Sequence, residues 1–413
     1  MRKIIGDVVP DRSLFAAVVG IRKLAFAGHP FPSKLLPIPN LVQLRAGCAP
    51  FDLNRVPIMP YFTDYAVHSD EYAIESIDDA ADWNEYVEAH SKGSIFHTRE
   101  MVRAYHHTRG YEPIALLARN TSGNVVAMLV AVRIATLPGV LGWLASRSVF
   151  FAEPICDENQ NGQDGLVLLI REHDRRVAGR TLFAEVRPLD ENGAERTALE
   201  QCGFEYRDYL NYISYVERPT NELWKKIKGD CRRDIRRSED RGVILQDENS
   251  PAGIDRLYEF LQVSYGLSQV PLPDRTLFDA TLTELPHDWF RVVIAYLENR
   301  PMTSSIDLVY KGRVYGWYGG TERVRGISAN ACITWDSIRW AAENEQTIYD
   351  FGGAGWPDEP YAPRKFKSKF GGELVDYGRY RKVYSPWKLQ LAERVYEAVR
   401  SVIWSRERTG RNS

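Results

Sequence analysis

The 413-residue chain carries 53 Lys and Arg against 55 Asp and Glu, a formal net charge of −2, with 44% hydrophobic and 26% charged residues. This composition excludes disordered, collagen-like and low-complexity classes, and the near-neutral balance excludes a protein that binds DNA with its whole surface while leaving room for a local basic site. The length favours two domains, and the five scattered cysteines (Cys48, Cys156, Cys202, Cys231, Cys332), with no Cys-x-x-Cys pair, point to a reducing, cytoplasmic setting rather than to disulfides or a metal site.

Residues 1–77, with eight prolines between Pro10 and Pro60, read as an irregular N-terminal extension. The apolar stretch Ser13 to Ile21 is shorter than the roughly 20 residues of a membrane span. Asp7 and Asp11 before it, and Arg22-Lys23 after it, argue against a cleaved signal. From Asp78 the pattern becomes regular. Helices are predicted over Asp78 to Lys92 and Thr98 to Thr108, then a hairpin of Ile114 to Ala118 and Val125 to Ile134 around Asn120-Thr-Ser-Gly-Asn. A helix over Gly165 to Val177, a strand over Thr181 to Val186, a helix over Ala194 to Gln201, and a strand over Phe204 to Val216 complete a first domain, 78–217.

A second domain, 218–385, repeats the order. One helical stretch is predicted over Asn221 to Arg241, then helices over Gly253 to Leu267 and Asp274 to Leu285. A meander follows, over Phe290 to Leu297, Met302 to Val309 and Val314 to Gly319. A helix over Trp335 to Asn344, a strand over Thr347 to Phe351 and a last long strand to Tyr384 end the unit. Residues 386–413 read as an amphipathic helix with a basic tail: Trp387, Leu391, Val395 and Val399 share one face, which packs on the second domain or touches an anionic membrane. The duplicated order, with hairpins that exclude a purely parallel sheet, implies two copies of one mixed α/β domain.

Several segments carry a family likeness. Gly93-Ser-Ile-Phe-His97-Thr98-Arg-Glu100, with Trp83 before it and Gly110-Tyr111-Glu-Pro113 after it, resembles the opening of the Fem-type aminoacyltransferases, which build peptidoglycan interpeptide bridges. Glu222-Leu-Trp224, Arg232, Ile235, Arg236 and Arg237-Ser-Glu239 resemble the start of that family's second domain. Tyr349-Asp350-Phe351-Gly352-Gly353 and Phe366-Lys367-Ser-Lys369-Phe370-Gly371-Gly372-Glu373-Leu374 resemble its last core strand and closing motif. The resemblance spans about Trp83 to Tyr384 and implies tandem GNAT-like acyltransferase domains. It also implies transfer to an amine of a lipid-linked or nucleotide-linked envelope precursor, with aminoacyl-tRNA as donor. The helical hairpin by which bridge-building members engage tRNA has no room in this chain, which keeps an acyl-CoA donor and a sugar or small-molecule amine open. A non-catalytic scaffold of the same fold is the third reading.

The resemblance places Lys367 and Phe366 at the acyl-transfer site, where an ammonium would stabilise the oxyanion of the tetrahedral intermediate. Asp350 ends a core strand and is a candidate base; Gly352 and Gly353 would let a ligand approach the backbone. Lys369 follows as a further cation. Glu185 and Arg187, at the matching strand end of the first domain, either bind the acceptor or pair at the seam. The segment Trp224 to Arg241 holds eight basic residues against four acidic, and Arg232, Arg236 and Arg237 flank its apolar stripe as a phosphate grip or a solvated face. Arg323-Val-Arg325-Gly326-Ile-Ser328 approximates the Arg-x-x-Gly-x-Gly turn that cradles the coenzyme A pyrophosphate, departing from it at Ser328.

Overall fold

The computed structural model describes residues 71–135, 146–191, 193–268, 272–322, 324–391 and 394. The proline-rich segment 1–70 with its signal-peptide question, Arg323 and most of the terminal helix lie outside the described residues. The first half runs β1 (Tyr72–Ser76), α1 (Trp83–Ala89), α2 (Arg99–His106), β2 (Tyr111–Asn120), β3 (Val125–Ala135), β4 (Ser146–Phe150), β5 (Ile155–Cys156), α3 (Gln160–Val177), β6 (Phe183–Val186), α4 (Ala194–Gln201), β7 (Glu205–Arg207). The chain continues through β8 (Leu210–Tyr215), α5 (Thr220–Lys226), α6 (Gly229–Asp240), β9 (Val243–Asp247), α7 (Pro251–Ser268), α8 (Thr276–Glu284), β10 (Phe290–Leu297), β11 (Arg300–Tyr310), β12 (Arg313–Thr321), α9 (Ala329–Glu343), β13 (Ile348–Gly355), α10 (Ala362–Lys367), β14 (Glu373–Asp376) and β15 (Arg379–Val383).

These strands form two mixed sheets, ordered β1-β2-β3-β4-β6-β15-β7 (with β5 beside β3) and β14-β8-β13-β12-β11-β10-β9. Local chemistry sets the ends of the elements. Thr98 starts α2 by accepting the Met101 amide at 3.3 Å, and Asn120 turns the β2–β3 hairpin by accepting from Ser122 and Asn124 at 3.0 Å. One buried core fills the space between the two sheets, taking Trp83, Met101 and Val132 from the first half and Leu257, Ile294 and Leu308 from the second. The outer faces are covered separately, the first sheet by α3 and α4, the second by α5, α6 and α9.

The duplicated mixed α/β order is thus present, but the sheets do not part at Glu217 to Thr220. The predicted strand Phe204 to Val216 is two strands: β7 stays in the first sheet and β8 crosses to lie between β13 and β14. The predicted last strand of the second domain returns the exchange, since β15 inserts between β6 and β7. The two crossings run side by side. Asp376 accepts the Tyr209 amide at 2.9 Å, and Gly378, at φ +68°, donates to Tyr209 O at 3.2 Å. Lys382 fastens the inserted β15 by bonding Asp174 at 2.6 Å and the Cys202 carbonyl at 2.5 Å.

Two further expectations are corrected. The extension does not reach residue 77, because Tyr72–Ser76 pairs antiparallel with β2 as an edge strand. Asn221 to Arg241 is not one helix. Ile227 and Lys228 are extended, and this break lets the Lys228 amide donate to Lys369 O at 2.8 Å and seats the closing glycine turn. A Cβ at Gly371 would come within 2.6 Å of the Lys226 side chain, so that turn needs a glycine. No described helix is long and apolar enough to cross a membrane.

Candidate functional site

β12 and β13 run parallel over three residue pairs, Arg313 with Ile348, Val314 with Tyr349, and Tyr315 with Asp350. Beyond them the strands continue to Thr321 and Gly355 without pairing to each other, which leaves a wedge in the middle of the second sheet. The β13 side of the wedge is irregular: its register with β8 breaks between Asp350 and Gly353 and again before Gly355. Gly352 sits at φ +72°, with no atom within 4 Å of where a Cβ would lie. A Cβ at Gly353 would come within 2.8 Å of the Tyr209 ring. This bulge is the local reason for the consecutive glycines.

Lys367, at the end of α10, clamps the bulge. Its ammonium donates to Phe351 O at 2.5 Å, Gly352 O at 3.1 Å and Gly353 O at 2.8 Å. Burial lowers its pKa to about 8, opposed by the nearby Asp350 charge. All three donors are committed to backbone carbonyls, so the side chain also holds the bulge in shape. Asp350 is 1% exposed; one oxygen accepts the Gly352 amide at 2.7 Å and the other has no hydrogen-bond partner. Arg313 approaches that second oxygen at 3.7 Å. Burial raises the Asp350 pKa, with Arg313 as the chief opposing charge.

Arg313 ties this site to the first half, donating to Leu189 O and lying 3.6 Å from Asp190. Phe96, inside the opening motif, packs edge-on against Tyr315 with centroids 5.4 Å apart. That motif therefore builds the seam beside the wedge. Phe366 packs into the second core against Phe370, centroids 5.3 Å apart, so it supports the clamp from behind.

The other predicted residues separate from this cluster. Glu185 and Arg187 form the seam ion pair at 2.7 Å, with Arg379 adding a contact at 3.0 Å; despite burial, the surrounding arginines hold the Glu185 carboxyl well below the usual carboxylate range. Arg232 caps α5 by donating to Lys225 O at 2.7 Å, Arg236 lies over the Trp224 ring, and Arg237 pairs with Asp234. These three do not converge on a phosphate. Lys369 pairs with Asp230 at 3.3 Å. Arg325 is exposed at the turn before α9, but the turn itself is filled from α6: Ser238 accepts the Ser328 amide at 2.8 Å and Arg241 donates to Gly326 O at 3.0 Å.

Sequence reasoning missed Arg313 and the aromatic ladder beside Gly353. There Tyr209 stands edge-on to Trp356 at 4.8 Å, with Arg379 and Arg207 over the outer rings at 3.6 and 4.1 Å. An arginine at the first residue of a meander strand has no local signal. Its importance arises only when Leu189 and Asp190 are brought against it. A Ser148–His173–Asp174 series also forms, at 2.8 and 3.3 Å, but it lies between β4 and α3 on the first sheet, away from the wedge in the second.

Residues 225–362 match the family model described as an acetyltransferase (GNAT) domain. No curated protein matches the chain by sequence. Among solved structures, FemX is similar at TM-score 0.58 and 13% identity, covering 76% of this chain and 98% of FemX. A tandem GNAT protein from the clavulanic acid biosynthesis pathway is similar at TM-score 0.51 and 9% identity, covering 76% and 99%. The match over residues 225–362 marks an acyltransferase domain of the GNAT type, and the two sheets together make a tandem GNAT-like fold similar to that of FemX.

Proposed function

We propose that this acyltransferase moves an aminoacyl group from aminoacyl-tRNA to an amine of a cell-envelope precursor, the Fem-type reaction. The observation that carries the reading is the glycine bulge of β13, held open at the wedge by Lys367 beside Asp350, on the residues that resemble the Fem closing motif. The donor enters between β12 and β13. Attack by the acceptor amine turns the carbonyl tetrahedral, and its oxyanion needs positive charge nearby. Lys367 supplies that charge by exchanging its longest bond, the 3.1 Å contact to Gly352 O, for the oxyanion. Asp350 has one oxygen without a hydrogen-bond partner; it accepts the proton that the amine must lose and returns it to the ribose oxygen of the tRNA as the ester C–O bond breaks.

The filled turn before α9 favours tRNA over coenzyme A, since Ser238 and Arg241 hold the Ser328 amide and the Gly326 carbonyl where a pyrophosphate would need open backbone. Acceptors on a polyprenyl carrier fit a peripheral position at the membrane's inner face. Trp387 at 63% exposure and Leu391 at 42% begin the terminal helix and would meet that surface. Transfer from acetyl-CoA is the second reading, favoured by the acetyltransferase description of the model matching residues 225–362.

Incubating the purified protein with an amine-bearing peptidoglycan precursor and either charged tRNA or acetyl-CoA tests the two. Mass spectrometry should show the precursor heavier by an amino-acid residue with charged tRNA. An acetyl increment from acetyl-CoA, and none from tRNA, would overturn the aminoacyl reading.

A further inference from the structure

The wedge lies at the C-terminal ends of β12 and β13. At their N-terminal ends a separate cavity of about 510 Å³ opens between the β11–β12 turn, the α8–β10 link, the end of α9 and Glu88 of α1. That volume is in the range of small-molecule sites, about 300–1,000 Å³. Its rim is fixed in advance. Tyr310 donates to Glu88 at 2.9 Å, and Lys311 bonds the Glu88 and His90 carbonyls at 2.5 and 2.9 Å.

The lining combines rings with amides. Trp289 and Tyr310 stand edge-to-face with centroids 4.9 Å apart, and Trp340 lines another wall beneath the Arg291 guanidinium. Arg291 is 8% exposed; it bonds Asp247 at 2.6 Å and Asp336 at 2.7 Å, while its Nη1 has no partner. Gln346 donates to Asn344 O at 2.7 Å and leaves its own buried carbonyl oxygen without a partner. Orphaned donors and acceptors of this kind cost stability unless something completes them.

The charges exclude an anion. Glu88, Asp247 and Asp288 line the cavity against Arg291 and Lys311, and both cations are already bonded within the protein. The fitting occupant is neutral, with an apolar C–H face for the rings and a hydroxyl rim for the amide and guanidinium. We propose that this cavity binds a sugar ring, giving the protein a saccharide site at the opposite end of the second sheet from the acyl-transfer wedge. The site goes beyond the acyl-transfer reading and does not depend on it.

The full chain is titrated with glucose, N-acetylglucosamine and their β-1,4-linked disaccharides, read by tryptophan fluorescence and saturation-transfer NMR. Adenosine and inorganic phosphate serve as counter-probes. Saturable binding of at least one sugar is expected, weakened by about tenfold or more in both Trp289→Ala and Gln346→Leu. Gln346→Leu keeps the cavity's shape and should keep wild-type acyl-transfer turnover, so lost sugar binding there is not lost folding. Failure of every sugar to bind, sugar binding unchanged in Gln346→Leu, or binding of adenosine or phosphate that these substitutions abolish would overturn the proposal. No donor or acceptor is present in the titration, so its failure leaves the acyl-transfer reading untouched.

Discussion

Both halves carry a carboxylate in a short parallel ladder: Glu185 opposite Val149 on β4, one pair before the ladder ends, and Asp350 opposite Tyr315 on β12, in the last pair. The surroundings then diverge. β15 pairs with β6 in unbroken register from Phe183 to Val186, and two arginines close on Glu185. β8 pairs with β13 through two register breaks, and Asp350 keeps one oxygen without a hydrogen-bond partner beside a lysine-clamped bulge. The same topology serves as a closed brace in one half and an opened strand end in the other. The difference lies in two glycines and a lysine, since a continuous strand has no carbonyls to spare for an ammonium.

The sharpest way to break this comparison is to separate the halves. Each sheet holds a strand from the other, so residues 71–217 and 218–385 expressed alone should both fail to unfold cooperatively. Ending the chain after Tyr377 should have the same effect, because it removes β15 from the first sheet, including the fully buried Tyr380. Tyr380→Ala in the whole chain should cost about 3–5 kcal/mol, the usual penalty for emptying a buried aromatic site. Denaturant melts of the fragments are decisive: a cooperative transition in either one contradicts mutual dependence.

Lys367→Met attacks the feature present in only one half. It strips three backbone carbonyls of a charged donor, and hydrogen bonds to charged groups contribute about 1.5–3 kcal/mol each before relaxation. A stability loss of about 2–4 kcal/mol is expected, together with a turnover loss of at least about 10²-fold if the same cation meets the oxyanion. With a pKa lowered to about 8, the wild-type rate should fall on an alkaline limb near pH 8 as the ammonium deprotonates. A variant of unchanged stability, or a wild-type rate flat through pH 8 to 10, would remove Lys367 from its role.

The fold was legible in the sequence wherever one element sufficed. The β2–β3 hairpin, the β10–β11–β12 meander and helices α3, α4, α7 and α8 all stand within a few residues of the periodicity that indicated them. The exchange of β8 and β15 was not legible. Hydrophobic alternation says that Leu210 to Tyr215 is a strand but not which sheet receives it; that is decided by Asp376 and Gly378 meeting Tyr209, 167 residues away for the Asp376 contact. At the site, the sequence offered Lys367 and Gly352-Gly353 from two separate motifs and with separate roles, so that the lysine bonds the carbonyls of the glycine bulge was not legible. The arginine-rich helix misled, because caps, ring stacking and an in-helix ion pair employ Arg232, Arg236 and Arg237 in ways that residue spacing does not reveal.

The closed half should show its buried charge in stability rather than in rate. Glu153 is 1% exposed, accepts the Leu189 amide at 2.9 Å, and burial raises its pKa to about 7. The folded state then binds a proton more tightly than the unfolded state does. Stability from this group is present below the unfolded value near 4.5 and is lost as pH rises towards 7. Glu153→Gln keeps an acceptor for Leu189 and should flatten that decline, making the variant more stable at pH 8 by on the order of 3 kcal/mol at most. Melts at pH 5 and pH 8 check it; equal pH dependence in both proteins would show that Glu153 is charged without cost.

Lys369→Met is the smallest expected effect and the control that gives the Lys367 result its meaning. The two lysines lie two residues apart in one motif, and sequence alone offers both as site cations. Their partners differ: Lys367 spends its ammonium on the bulge, whereas Lys369 meets Asp230 at 3.3 Å with both side chains part-exposed, 31% and 53%. Exposed pairs of this kind contribute about 0–1 kcal/mol and are weakened by salt. Its removal should therefore shift the melting temperature slightly, less so at high ionic strength, and leave turnover within about twofold of wild type. The Lys369 carbonyl holds the Lys228 amide at 2.8 Å, and that backbone bond survives any side-chain change, so the closing turn should remain seated. A turnover loss matching that of Lys367→Met would mean that the basic loop as a whole, and not the clamped bulge, is what distinguishes the working half.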